Sequence, residues 1–309
     1  MIFAMFPGQG SQYVGMGRDL LAHFSQAGLT FEEAEDAIGK NIRKLVLEGP
    51  KSELLLTINT QPAILTLSVA MYRVLQEELG FCPSLVAGHS LGEYSALVAG
   101  GKLAFADGVR LVRKRGELMQ EAVPRGVGAM LAVLNVTEQD LGDLCSQVSH
   151  EGDLVTIANV NSPKQLVVAG HQSAVDRLQA ILEERKTRAV PLPVSAPFHS
   201  PLMLPAKEKM EPFLKNVVLE EKGGIPVIAN LTGKVEEIYT AALLIDQIDA
   251  PVLWAQSLKA AQSLGMTLFV EVGPGKVLLG LARQSVKDVK IMATDNILTA
   301  IRSLESLVS

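Results

Sequence analysis

Gly88-His89-Ser90-Leu91-Gly92 sets a serine between two glycines, after the apolar run Leu85-Val86-Ala87 and before a helical pattern over residues 93–99. A G-x-S-x-G stretch between a strand and a helix is a nucleophile elbow. The tight turn exposes the serine hydroxyl at the sheet edge, and the glycines avoid clashes where the chain doubles back. The main-chain N–H of Leu91, at the helix start, then points at negative charge forming near Ser90. The five-residue pattern alone is also compatible with a glycine-bracketed turn; the strand before it and helix after it favour the catalytic reading.

A serine nucleophile needs a base, and the chain has five histidines. His23 sits on an amphipathic helix among polar neighbours, and His150 lies in the polar turn His150-Glu151-Gly152-Asp153. His171 follows a strand, and the elbow should aim His89 away from Ser90. His199 remains, in the stiff turn Ala196-Pro197-Phe198-His199-Ser200-Pro201, where a cleft between two folding units would lie. No acidic residue stands out as a third member, and a neutral carbonyl could orient the imidazole instead. Pro7-Gly8-Gln9-Gly10 follows the first strand but meets neither phosphate-loop pattern, since Tyr13 stands where a third glycine would be needed. Its glycines either bring the Gln9 N–H into the cleft as a second oxyanion donor or make a plain β-to-α turn.

Arg115 breaks the pattern of its helix. Over residues 105–122, Gly108, Leu111, Val112, Leu118, Met119 and Ala122 share one face, while Arg110, Arg113, Lys114, Glu117 and Glu121 share the other. At about 100° per residue, Arg115 falls in the middle of the apolar face. A buried cation is costly unless paired. The partner is either a carboxylate of this protein or the carboxylate of a substrate, which the guanidinium fork suits. An enzyme that acylates its serine with a dicarboxylic half-thioester needs such a group; a simple esterase does not.

These residues require an α/β scaffold. Strands fit residues 2–6, 85–87, 226–230 and 268–272, with helices around 16–23, 31–37, 61–79, 93–99, 105–122 and 276–285, which argues for a mostly parallel sheet. Between Pro124 and the Pro193–Pro197 stretch the order becomes β-α-β-β-α-β: strands at 129–134, 155–160, 166–169 and 188–192, helices at 137–148 and 173–186. That is a ferredoxin-like unit. The expected division is a core of residues 1–124 and 197–309 with an inserted subdomain, residues 125–196.

Composition narrows the class. A net charge of −5 without a basic tract argues against nucleic acid. Two cysteines, Cys82 and Cys145, give neither a disulfide framework nor a zinc signature and fit a reducing cytoplasm. No signal h-region or transmembrane-length apolar run is read.

Taken jointly, Phe6-Pro7-Gly8-Gln9-Gly10-Ser11-Gln12, Thr60-Gln61-Pro62-Ala63, the elbow with Glu93-Tyr94, Met119-Gln120-Glu121-Ala122, Phe198-His199-Ser200 and Glu271-Val272-Gly273-Pro274-Gly275 resemble the acyltransferase family of bacterial malonyl-CoA:acyl carrier protein transacylases, from the first strand to about Arg283. The resemblance implies an α/β-hydrolase-like core with a ferredoxin-like subdomain. It also implies ping-pong transfer of malonyl from CoA to Ser90 and on to the phosphopantetheine thiol of an acyl carrier protein, supplying fatty-acid synthesis without a cofactor or metal. By that likeness His199 is the base, Gln9 and Leu91 supply oxyanion N–H groups, Arg115 holds the malonyl carboxylate, and the main-chain carbonyl of Gln247 orients the histidine. Phe198 departs from the serine of many fatty-acid enzymes and is similar to malonyl-selective domains of polyketide synthases; a ring there would disfavour an α-methyl branch. A polyketide carrier is therefore the alternative acceptor, and a serine esterase or thioesterase a more distant reading. The expected enzyme is a cytoplasmic monomer. Its acidic carrier would need a local basic rim, for which Lys186, Arg188, Lys276 and Arg283 are candidates.

Overall fold

The computed structural model describes every residue except 125, 195, 221–222, 237 and 309. In chain order the elements are β1 (Ile2–Phe6), α1 (Arg18–His23), α2 (Ser25–Ile38), α3 (Ile42–Glu48), α4 (Lys51–Leu54), α5 (Thr57–Leu79), β2 (Leu85–Gly88), α6 (Gly92–Ala99) and α7 (Phe105–Glu121). Next come β3 (Gly128–Leu134), α8 (Glu138–Val148), β4 (Val155–Ser162), β5 (Gln165–His171), α9 (Gln172–Glu184) and β6 (Ala189–Pro191). The chain ends with α10 (Leu204–Lys215), β7 (Val227–Ile228), α11 (Ala241–Gln247), α12 (Trp254–Ser263), β8 (Leu268–Glu271), α13 (Val277–Ser285), β9 (Lys290–Ala293) and α14 (Ile297–Val308).

Five parallel strands form the larger sheet, in the order β7-β2-β1-β8-β9. Strand β1 is apolar throughout because both faces of the sheet are covered. Ala4 and Phe6 pack with α2, α5, α6 and α7, whereas Phe3 and Met5 pack with Trp254, Leu258, Leu278 and Leu281 on the opposite face. Helix α5 is buried nearly all round. Pro62 lies inside it and cannot donate to the Ile58 carbonyl one turn back; Arg113 of α7 supplies a long replacement at 3.5 Å. Gly116 lets α7 lie directly on this turn, since a Cβ there would meet the Thr57 carbonyl oxygen at 2.6 Å. That close approach brings Arg115 within reach of Gln61.

The smaller sheet is antiparallel, in the order β4-β5-β3-β6, with α8 and α9 packed on one face. This is the expected β-α-β-β-α-β unit. Arg125 and Ser195, at the edges of the expected subdomain, lie outside the described residues.

Several boundaries differ from expectation. The strand expected over residues 226–230 contracts to Val227–Ile228, because Asn230 turns out of the ladder to bind the elbow. The strand expected over 188–192 contracts to Ala189–Pro191 at the sheet edge. Strand β9 and helices α3, α4, α10, α11, α12 and α14 were not anticipated. In α14, the spacing of the buried residues Ile297, Ala300 and Leu304 carries the signal that would have found it.

Candidate active site

The site sits at the carboxyl ends of the parallel strands, where ligands bind in open α/β sheets. Strand β1 delivers the Pro7–Gly10 turn, β2 the elbow and β7 the Asn230 corner. The elbow glycines are steric necessities. A Cβ on Gly88 would overlap the Gly92 carbonyl, and one on Gly92 would overlap the carbonyl oxygen of Phe6. Gly8 is also pressed on the carbonyl of His89, where a Cβ would meet the oxygen at 2.4 Å, which brings Gln9 beside the elbow. Ser90 adopts a left-handed φ of 51°, a strained value for a non-glycine residue that recurs at functional sites. Asn230 holds the turn shut: its Oδ1 accepts the Ser90 N–H at 2.6 Å, and its Nδ2 donates to the Gly88 carbonyl at 2.6 Å.

His199 also has a left-handed φ, 58°, and is buried. Its Nδ1 lies 2.9 Å from the main-chain carbonyl of Gln247, which fixes a proton on that nitrogen. The lone pair on Nε2 then accepts the Ser90 hydroxyl at 2.7 Å. Burial, and secondarily the Arg115 charge, pull the imidazole down to about 3, which favours the neutral ring. The other histidines lie elsewhere in purpose. His23 contacts the Asp19 carbonyl on the surface, His150 is exposed, and His171 accepts the Leu154 N–H. His89 sits against the Trp254 ring with Nε2 on Asn161 Oδ1.

Arg115 is 2% exposed. Nη1 donates to Gln61 Oε1 at 3.0 Å, and Nη2 donates to Ser90 Oγ at 3.1 Å and to Gln247 Oε1 at 2.9 Å. The guanidinium carbon lies 5.7 Å from the centre of the Tyr94 ring. No carboxylate among the described residues forms an ion pair with it, and its Nε–H is buried without a partner. A cation held by neutral oxygens, with one donor unused, is suited to a carboxylate brought from outside.

Gln9, Leu91, Ser90, Arg115 and His199 line one cavity of about 100 Å³, walled on the apolar side by Met119, Met130, Leu192, Val194 and Phe198. The Gln9 side chain is held aside by Thr57 at 3.3 Å. Lys186, Arg188, Lys276 and Arg283 are all exposed, and none lines this cavity. Gln61, Glu93, Asn230 and the side chain of Gln247 took no role in the sequence reading. Gln61 and Glu93 stood inside the quoted motifs, and a buried acid in the apolar helix α6 was a usable signal. Asn230 carried no such signal. Among the described residues no cluster of three or more His, Cys, Asp or Glu is placed to hold a metal, and no helix is long and apolar enough to cross a membrane.

Residues 3–306 match the acyl transferase domain family. A malonyl CoA-acyl carrier protein transacylase of Bacillus subtilis (strain 168) is 43% identical over 295 residues, covering 94% of this chain and 92% of its own. The crystal structure of the malonyl-CoA:acyl carrier protein transacylase of Xanthomonas oryzae superposes with a TM-score of 0.94 at 39% identity, covering 98% of both chains. A malonyl-transacylase solved in complex with its type II polyketide synthase acyl-carrier protein superposes at 0.93 with 40% identity, covering 98% of this chain and 99% of its own. By sequence and by fold, the chain belongs to the acyl transferase domain family and, within it, to the malonyl CoA-acyl carrier protein transacylases.

Proposed function

We propose that this chain transfers malonyl from malonyl-CoA, through an ester on Ser90, to the phosphopantetheine thiol of an acyl carrier protein, and so supplies fatty-acid synthesis. The observation that carries the reading is a buried guanidinium that contacts the nucleophile and forms no ion pair with a carboxylate among the described residues.

In the first half-reaction Ser90 Oγ attacks the thioester carbonyl while its proton passes to His199 Nε2. The N–H groups of Gln9 and Leu91 receive the oxyanion; removing one such donor typically costs about 100- to 1000-fold in rate. The C–S bond breaks, and the departing CoA sulfur takes the proton from His199. The carrier thiol then repeats the steps in reverse: its proton goes to His199, its sulfur attacks the ester, and Ser90 Oγ leaves with the proton. The Gln247 carbonyl keeps the imidazole in the tautomer this exchange needs.

Arg115 couples recognition to chemistry. In the free site it donates to Ser90 Oγ and its charge depresses His199. A malonyl carboxylate would draw the fork off the hydroxyl and neutralise that charge, leaving a freer nucleophile and a stronger base. An acetyl group does neither. Met119, Met130, Leu192, Val194 and Phe198 limit the water available to the ester until the thiol arrives.

The same proposal treats residues 1–124 with 197–309 as the catalytic core and 125–196 as a subdomain, because the cavity takes lining from both sheets. It takes a monomer as the working unit, since every group invoked comes from one chain. It places the enzyme in the cytoplasm, where the free Cys82 and Cys145 stay reduced, and requires no cofactor. Phe198, buried in the cavity wall, and the solved polyketide carrier complex favour a second acceptor, a polyketide synthase carrier. Competition between the two carrier types for the acyl-enzyme distinguishes them.

Intact-protein mass spectrometry with malonyl-CoA, acetyl-CoA and methylmalonyl-CoA tests the reading. A malonyl adduct should form on wild type, be absent from Ser90→Ala, and move to added holo-carrier. Sustained release of free malonate without a carrier would favour a hydrolase, and no adduct at all would refute transfer through Ser90.

A further inference from the structure

Glu93, three residues beyond the nucleophile, has no part in the transfer just described, yet it is buried at the floor of the site. Its Oε1 accepts the main-chain N–H of Asn230 at 3.0 Å and the hydroxyl of Tyr239 at 2.5 Å. Its Oε2 accepts Nε2 of Gln247, whose other Nε2 hydrogen goes to the Ser90 carbonyl at 3.1 Å. Three donors converge on its two oxygens, an arrangement that a carboxylate satisfies by accepting alone. Burial pushes Glu93 up to about 7, opposed by Tyr239, Asn230, Gln247 and the Arg115 charge.

An amide has two distinguishable ends, and here both are committed. With Nε2 facing two acceptors, Gln247 Oε1 turns toward Arg115. A flipped amide would set its oxygen against Glu93 and the Ser90 carbonyl, and its NH2 against the guanidinium. Both contacts would be repulsive. We propose that Glu93 is a positioning residue for acyl recognition: its carboxylate fixes the Gln247 amide so that the amide oxygen holds Arg115 at Ser90, ready for the carboxylate of the incoming acyl group. The inference rests on the transacylase reading above.

The near-isosteric Glu93→Gln tests it. Tyr239 and Asn230 keep the new amide oxygen where Oε1 was, so the new NH2 faces Gln247 Nε2. Gln247 must turn over, and Arg115 loses an acceptor. The ratio of Ser90 malonylation by malonyl-CoA to acetylation by acetyl-CoA, each as kcat/KM, should fall about 10- to 100-fold, the expected effect of a mispaired buried donor. Equal falls for both acyl groups, or no change in the ratio, overturn the proposal. In an Arg115→Ala background the same substitution should shift the ratio less than about 2-fold, because the two act through one contact. A further tenfold loss there refutes action through Arg115. If Glu93→Gln does not fold, as judged by circular dichroism, Tyr239→Phe removes one of the three donors and should lower the ratio about 3- to 10-fold; an unchanged ratio overturns the proposal. Absence of any malonyl adduct on wild-type Ser90 would instead refute the transacylase reading itself.

Discussion

Replacing Arg115 by alanine should convert a carboxylate-selective site into an indifferent one. In the free site the fork makes three hydrogen bonds to neutral oxygens, two of them from Nη2, while Nε–H makes none. A bound malonyl carboxylate would gain charge-assisted bonds from it, and stranding one member of such a buried pair costs about 3–5 kcal/mol. At about 1.4 kcal/mol per decade, malonylation of Ser90 should drop about 100- to 5000-fold in kcat/KM. Acetylation has no carboxylate to lose. It should hold steady or improve, because the Arg115 charge that depresses His199 is gone and Ser90 Oγ keeps its bond to Nε2. Quenched-flow sampling with intact-mass detection, run with each acyl-CoA on wild type and variant, gives both constants. Arg115→Lys should fall between the two, since an ammonium keeps the charge but not the planar fork. Comparable losses for malonyl and acetyl in Arg115→Ala would show that the guanidinium only supports the fold, and the coupling of recognition to base strength would be wrong.

Burial holds His199 down at about 3, so the imidazole stays neutral well below its ordinary 6.5. Labelling of Ser90 by a fluorophosphonate, which carries no carboxylate, should therefore lose rate only below about pH 4; an acidic limb near 6.5 would contradict the depressed base. Phe198→Ala should raise the methylmalonyl-to-malonyl acylation ratio about 5- to 100-fold by opening the cavity wall, and an unchanged ratio would remove the ring from substrate selection. Gly92→Ala should cost about 3 kcal/mol or more in denaturant unfolding, because the new methyl overlaps the Phe6 carbonyl where two strand ends meet; a variant with wild-type stability would mean that the elbow can shift freely. Arg283→Glu should raise KM for the carrier without changing Ser90 malonylation by malonyl-CoA, and an unaltered KM would take that exposed residue off the docking surface.

Much of this protein could be read from local order. The elbow was legible because its glycines, serine and flanking apolar runs are adjacent in the chain, so one short window holds the steric problem and its solution. Arg115 was legible because helical periodicity is local: a cation on the wrong face is visible without knowing what it touches. His199 emerged from the setting of each histidine, and the neutral carbonyl left open in place of an acid corresponds to the Gln247 oxygen. The β-α-β-β-α-β order likewise follows from alternating patterns inside one segment.

The rest depends on residues that are strangers in sequence. Gln247 meets Ser90, Glu93, Arg115 and His199 across gaps of 157, 154, 132 and 48 residues. Glutamine has no periodicity to violate, and its value lies in which end of the amide faces which neighbour, a fact that exists only once four chain segments converge. Asn230 is similar: nothing in Ile228-Ala229-Asn230 marks it as the clasp of an elbow 140 residues earlier. Strand β9 escaped because, at the sheet edge, it opens on the exposed Lys290 and offers only Ile291, Met292 and Ala293, where β1 is apolar over its whole length. The amino-acid order thus fixed the groups able to react and the elements that carry them, because steric and hydrophobic preferences act over a few residues. The tertiary fold alone decided the hydrogen-bond partners that hold those groups in register, because a buried polar contact is a property of two surfaces and not of either stretch of chain.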